Sequence, residues 1–376
     1  MTPMTPMTPM IPDPIALQHI RRVLVIKLRH HGDVLLASPV FSALARALPE
    51  AQVDALVYED TREMLSLHPA IHRVLGVGRN WKRLGLGARL REEWRLLETL
   101  RAGRYELIVH LTEHWRGAWL CRLLQPRWSV GPAMSQRGKR WKKSFSHRYD
   151  HPRNALRHVV EANLDALRRI GIQPGPAERS LSLVAGEAAT QRIADWLSQE
   201  GLADRDFIHV HPASRWFFKC WSAAGMAALI ARLQAGGWPV VMTAAPDPAE
   251  LALVEAIQAA LRQQGAKPSH TLAGQLSLKE LAALTARARL FVGVDSAPMH
   301  MAAAMGTPVV ALFGPSGDRQ WGPWGVPMRV VSSTRHPCRP CGIDGCGGGK
   351  VSDCLISLGV DQVWQAVAEL LAETRR

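Results

Sequence analysis

The sequence predicts an α/β protein built from two doubly wound, Rossmann-like domains that face one another across a cleft. Three observations predict it. Short apolar runs alternate with longer helical patterns, an order that calls for a parallel sheet with helices on both faces. The alternation runs twice, on either side of the Pro/Gly-rich stretch GIQPGPAERS that starts at Gly171. The length of 376 residues suits two such units, each able to bury its own core. The expected boundaries are a disordered tail over residues 1–19, a first domain over 20–175 and a second over 176–376. The final helix is a candidate to pack back on the first domain.

The tail opens MTPMTPMTPMIPDP, which is low-complexity and has neither the basic flank nor the apolar core of a signal peptide. RVLVIKL from Arg22 is the first strand, RHHGD a turn, and Val34 to Leu48 a helix. VDALVY at Val53, HRVLGV at His72 and YELIVHL at Tyr105 are the next strands, with a helix over Leu90–Ala102. After the linker, DFIHVHP at Asp206, WPVVMTA at Trp238, LFVGV at Leu290 and PVVALFG at Pro308 are strands. Ala223–Ala235 and Pro248–Arg262 are helices between them, the first with Ser222 as its expected cap.

Composition bounds the function. A hydrophobic content of 47% with 21% charged residues is globular. No apolar run approaches the ~20 residues that cross a bilayer, so a cytoplasmic protein is expected. The formal charge of +14 speaks of partners rather than fold. Its densest patch runs from Arg137 to His158, with eight Lys or Arg residues and one acid, Asp150. This is either a solvated loop or, with Trp141, Phe145 and Tyr149 interleaved, a surface for a polyanion. Nucleic acid, anionic lipid and a phosphorylated glycolipid all fit. Of six cysteines, Cys121 and Cys220 read as buried thiols. Cys338, Cys341, Cys346 and Cys354 cluster in a Gly-rich segment, where they are reduced thiols or a structural zinc site.

The most informative stretch is LFVGVDSAPMHMAAAMGTPVVALFGP, Leu290 to Pro315. A buried strand stops at Asp295 and Ser296, and Pro298 suits the first turn of a helix. A strand, a polar turn and a helix N-terminus together make an anion site at the carboxyl edge of a sheet. Ordinary strand–helix packing gives the same pattern. Asp33, just after the first strand, is a helix cap or a general base at the mouth of the cleft. Ser214, Arg215 and Lys219 follow the Asp206 strand and form a candidate diphosphate clamp or a solvated loop. Asp247 follows the Trp238 strand and could accept from ribose hydroxyls or cap the Pro248 helix. No Walker phosphate loop and no GxGxxG stands between a strand and a helix.

Taken together, KLRHHGDVLLASPV, HPASRWFFKCW, TAAPDP and FVGVDSAPMHMAAAMGTPVVALFGP resemble the lipopolysaccharide heptosyltransferases of glycosyltransferase family 9. The likeness spans nearly all of the chain after the tail. FKCW and VDSAPMH are most similar to the branch that adds the third inner-core heptose, heptosyltransferase III. The resemblance implies a GT-B fold, ADP-L-glycero-β-D-manno-heptose as donor, and inversion at the anomeric carbon with no required metal or other cofactor. By motif, Asp33 matches the catalytic base and Lys219 the lysine on the donor phosphate, with Ser214 a neighbouring hydroxyl. Asp295, Ser296 and His300 match the donor signature, and Asp247 stands where family members carry an acid near the ribose. Ala297-Pro298 departs from the Gly-Leu-type pair of some members, and Trp216-Phe217-Phe218 is aromatic where others are polar.

The resemblance also gives the basic surface a partner. Arg137, Lys139, Arg140, Lys142 and Lys143 would face a phosphorylated lipopolysaccharide core and the inner leaflet. The protein would then be peripheral at the cytoplasmic face of the inner membrane. The rival readings are a family 9 enzyme acting on a different core hydroxyl, a GT-B sugar-nucleotide epimerase and a nucleic-acid-binding protein. The last leaves the Asp295 signature unexplained, so no nucleic acid partner is expected. No motif specifies the oligomeric state.

Overall fold

The computed structural model describes residues 15–150, 156–203 and 206–374. The first half forms strands β1 (Arg22–Ile26), β2 (Gln52–Tyr58), β3 (Arg73–Val77), β4 (Leu107–His110), β5 (Trp128–Ala133) and β6 (His147–Asp150). The second forms β7 (Ile208–His211), β8 (Val240–Met242), β9 (His270–Thr271), β10 (Leu290–Val294), β11 (Val309–Phe313) and β12 (Met328–Ser332). The sheets run β3-β2-β1-β4-β5-β6 and β12-β11-β10-β7-β8-β9. Every pairing is parallel. Read from its other edge, the second order repeats the first. Each sheet therefore reverses direction once, between β1 and β4 and between β7 and β10, and ligands bind outside such reversals.

The strands are apolar because both faces are covered. Along β1, Val23 and Val25 enter one core with Phe41, Leu44, Leu164 and Leu167, while Leu24 and Ile26 enter another with Leu96, Leu100, Ala118 and Trp141. That is the two-residue alternation of a strand. Leu281, Ala282 and Met301 of the second half belong to the first of these cores. The halves are thus joined along part of their border by buried side chains, and any cleft opens beside that joint.

Several expectations are corrected. Residues 1–14 of the tail lie outside the described residues, but Leu17–His19 form a helical turn and Ile15 is buried in the first core. The helix expected over 34–48 is two, His31–Leu35 and Ser38–Ala47, because Pro39 suits only the first turn of a helix. The basic segment is not a loop. It carries the short helix Lys139–Lys142 and the edge strand β6, with residues 151–155 outside the described set. Trp141, Phe145 and Tyr149 are buried. They fill cores, so they offer no stacking platform to a polyanion. The last helix, Val360–Glu373, stays with its own sheet, its Val363, Val367 and Leu370 buried beside β10 and β11 residues.

Candidate active site

Asp33, Ser214, Lys219, Asp295, Ser296 and His300 gather at the two reversal points. Asp33 lies in the first turn of His31–Leu35, just past β1, where an acid complements the helix dipole. His30, not Asp33, holds the cap position, so the capping role is not the one Asp33 has. Lys27 sits beneath it, only 4% exposed, a residue that sequence reasoning passed over. Its Nζ donates to the Leu111 carbonyl at 3.3 Å and to Asn163 Oδ1 at 2.9 Å. The Asn163 amide donates to the Leu36 carbonyl at 2.9 Å, at the far end of the helix that carries Asp33. Burial pulls the Lys27 ammonium down to about 8, against the attraction of Asp33. The signal in the sequence was a lysine directly ending an apolar strand.

The other reversal point holds an ion pair. Lys219, at the end of the turn Phe217–Lys219, places Nζ 2.6 Å from Oδ2 of Asp295, which follows β10. Asp295 is buried and Lys219 partly so. Ser214 is buried between β7 and this turn, its Oγ accepting from the Trp216 amide at 3.3 Å. Ser296 holds the cap position of helix Ala297–Ala304 but donates its hydroxyl to the Val294 carbonyl at 3.2 Å, leaving the first-turn amides without a side-chain cap.

The two points meet. His300, on that helix, is buried, and burial lowers it to about 4, so its ring is neutral at pH 7. Asp295 and Asp33 both act on it electrostatically, from opposite halves. Its Nδ1 has no hydrogen-bond partner among the described residues. A Cβ on Gly32 would lie 2.8 Å from His300 Cδ2, so a glycine is needed for the helices to touch here. His30 is lowered first by burial and then by Arg79, with Arg215 of the second half also contributing. Asp33 therefore stands at a seam between the halves, with the Lys219–Asp295 pair of the second half acting on the same buried ring.

The remaining candidates fare differently. Asp247 is exposed and caps helix Pro248–Gln263, accepting from Ala249 at 3.0 Å and Glu250 at 3.3 Å. Glu250, buried behind it, accepts from the Ala245 amide at 2.9 Å and so fixes the loop after β8. Lys139, Arg140, Lys142 and Lys143 are exposed together, but Arg137 is half-buried, held over Trp115 and Trp141. Cys121 and Cys220 are buried free thiols. Cys338, Cys341 and Cys346 are exposed and Cys354 buried, and among the described residues no three His, Cys, Asp or Glu come together as a metal site. The tetrahedral zinc set that the cysteine spacing permits is not formed.

Two Rossmann-type sheets of one strand order, joined so that their reversal points face a common seam, define the GT-B fold. Residues 93–351 match the model of glycosyltransferase family 9 (heptosyltransferase), and the chain belongs to that family. It is 37% identical over 300 residues to lipopolysaccharide heptosyltransferase 3 of Escherichia coli, covering 79% of this chain and 84% of the relative. It is 29% identical over 331 residues to lipopolysaccharide heptosyltransferase 1 of Pseudomonas aeruginosa, covering 85% and 86%. In fold it is similar to the E. coli ADP-heptose heptosyltransferase II structure, with a TM-score of 0.73 at 22% identity, over 94% of this chain and 99% of that one. The E. coli heptosyltransferase WaaC with ADP-2-deoxy-2-fluoro heptose gives a TM-score of 0.70 at 21% identity, over 93% and 99%.

Proposed function

We propose that this chain transfers L-glycero-D-manno-heptose from ADP-heptose to the inner core of lipopolysaccharide, as the third heptose, with inversion. The observation that carries the reading is the contact of Gly32 with His300, a buried ring on which Asp33 of one half and the paired Asp295 and Lys219 of the other all act electrostatically. An inverting displacement needs a base on one side of the anomeric carbon and an anion-stabilising group on the other. Asp33 takes the proton of the acceptor hydroxyl as its oxygen bonds to the anomeric carbon. The bond to the donor diphosphate breaks on the far face, and ADP departs with that electron pair. Lys219 and the uncapped amides of helix Ala297–Ala304 receive the diphosphate charge, so no divalent metal is required.

In this reading residues 20–175 hold the acceptor and 176–376 the donor, with Ser214, Ser296 and Asp247 as further donor contacts. The exposed cluster Lys139, Arg140, Lys142 and Lys143 attracts the phosphorylated core at the cytoplasmic face of the inner membrane, with Arg137 anchoring the segment. Similarity to heptosyltransferase 3 over most of both chains supports the choice of the third heptose. The test is incubation with ADP-heptose and a series of truncated core acceptors, with products identified by mass spectrometry. One added heptose on the acceptor that already carries two is the expected product. An epimerised sugar nucleotide with no acceptor product would overturn the reading.

A further inference from the structure

One surface of the first half is apolar where nothing among the described residues packs on it. Helix Leu86–Ala102 buries Leu96 and Leu100 against the sheet, yet Leu86, Leu90 and Trp94 are exposed, 73%, 60% and 58% respectively. Their i, i+4, i+8 spacing sets them along one stripe turned away from the core. The neighbouring helix, Trp115–Leu124, adds Trp119 and Leu123, each about half exposed. The two helices are tied by Arg116 to Glu93. Arg122 donates to the Arg140 carbonyl at 3.4 Å, and Trp115 meets Trp141 edge-on at 5.3 Å, which joins the pair to helix Lys139–Lys142. One layer of three helices therefore carries exposed leucine and tryptophan next to the exposed Lys139, Arg140, Lys142 and Lys143.

We infer that this helical layer is a membrane-docking surface, seating Leu86, Leu90, Trp94, Trp119 and Leu123 at the headgroup boundary of an anionic bilayer. The inference rests on the proposed glycolipid acceptor only for its biological setting; its physical basis is separate. Arg83, Arg89 and Arg91 are exposed around the stripe, so the apolar patch has a cationic rim. Apolar and aromatic side chains ringed by Lys or Arg are what binds an anionic interface. Two of the three acids of the helix are paired with arginine. Glu93 pairs with Arg116, Glu92 with Arg95, and Glu98 accepts from the Trp94 indole at 2.7 Å. A second copy of the chain is a poorer occupant. A two-fold contact would place the arginine rim of each copy against its own image, and like charges across an interface repel.

The test compares the full chain with a variant carrying Leu86→Ser, Leu90→Ser and Trp94→Gln, all exposed positions. Co-sedimentation is measured with vesicles of phosphatidylglycerol and phosphatidylethanolamine, and with vesicles of phosphatidylcholine alone. The expected result is binding to the anionic vesicles only, weakened about tenfold or more in the variant. Transfer to a soluble, lipid-free acceptor should be equal in the two proteins. Failure of that transfer in both would count against the proposed reaction and leave the vesicle result standing on its own. Equal vesicle binding by the two proteins, or none by the wild type, would overturn the docking surface. So would a wild-type dimer that the variant converts to monomer without change in vesicle binding.

Discussion

Asp33 and Lys27 interact electrostatically just past the end of β1. Asp33 makes no side-chain cap, so its removal touches little of the fold. Asp33→Asn should lower turnover ~10²–10⁴-fold, because an amide cannot accept the acceptor proton. ADP titration and melting temperature should stay close to wild type; near-normal turnover would make the carboxylate a mere dipole partner. Lys27→Met tests the support beneath it. Removing the buried ammonium relieves a desolvated charge but leaves the Leu111 carbonyl and Asn163 Oδ1 without their donor, each costing ~1–3 kcal/mol. These effects oppose each other, so the fold should survive with a melting shift of only a few degrees. Turnover should fall on the order of tenfold, with ADP affinity unchanged, since Asp33 loses the attraction of a buried cation. A loss confined to ADP binding would contradict the placement of Lys27 on the acceptor side. Across the seam, Lys219→Ala should weaken ADP by about 1.5–3 kcal/mol in a calorimetric titration, the value of a charge-assisted contact. Unchanged ADP affinity would leave Lys219 as no more than the partner of Asp295.

Helices decide how the two reversal points meet, and Gly32 is where that can be tested. Its backbone is helical and unstrained, so the need for glycine is one of space alone. Gly32→Ala puts a methyl group 2.8 Å from the His300 ring, and that ring is buried with little room to turn. The expected cost is ~1–3 kcal/mol in urea unfolding, the usual penalty for overpacking. Pairing it with His300→Ala should recover part of that loss, a favourable coupling between positions far apart in sequence. Strict additivity of the two would mean that the helices do not press on one another there. This contact was invisible in the sequence, which shows Gly32 only as a turn former. Element by element, legibility followed periodicity and punctuation. Ala223–Ala235 begins at a serine cap and carries a long apolar pattern, and its expected limits match the observed ones. The Leu290–Phe313 unit was legible for the same reason, with Pro298 and Gly306 marking the ends of its helix. By contrast, β5 carries Gly131-Pro132, β6 is the polar HRYD, and β9 has two residues, so none shows a strand pattern. Trp141 looked like part of a polyanion surface because its neighbours are basic. Tertiary packing instead seats it in the core, its indole donating to the Pro132 carbonyl at 2.9 Å.

The whole molecule carries an unusual load of buried imidazole. Burial lowers His68, His211 and His300 to about 4 and His110 to about 3, and it takes His209 well below its ordinary value. His209 and His211 share the Thr243 hydroxyl at 2.7 and 2.8 Å. At pH 7.5 all five are neutral in both the folded and the unfolded chain, so they cost nothing. As pH falls below about 6.5, the unfolded chain takes up protons on these residues and the folded chain does not. Stability must therefore fall with pH from about 6.5 down to about 4, where the folded rings begin to titrate. Five such groups act in the same direction, so the fall is steep. The alkaline side has the opposite sign. Lys27 and Lys279, both lowered to about 8 by burial, bind protons in the unfolded chain between about 8 and 10.5 but not in the folded one, so stability rises there. Above about 10 it falls again, because burial raises Tyr105 and Tyr149 and only the unfolded chain releases their protons. Urea unfolding at a series of pH values should thus give a midpoint that drops steeply from pH 6.5 to 5 and climbs gently from 8 to 10, with an unchanged dependence on urea. A flat midpoint between pH 7 and 5 would mean that the histidines are charged in the fold, and the neutral His300 at the domain seam would go with them.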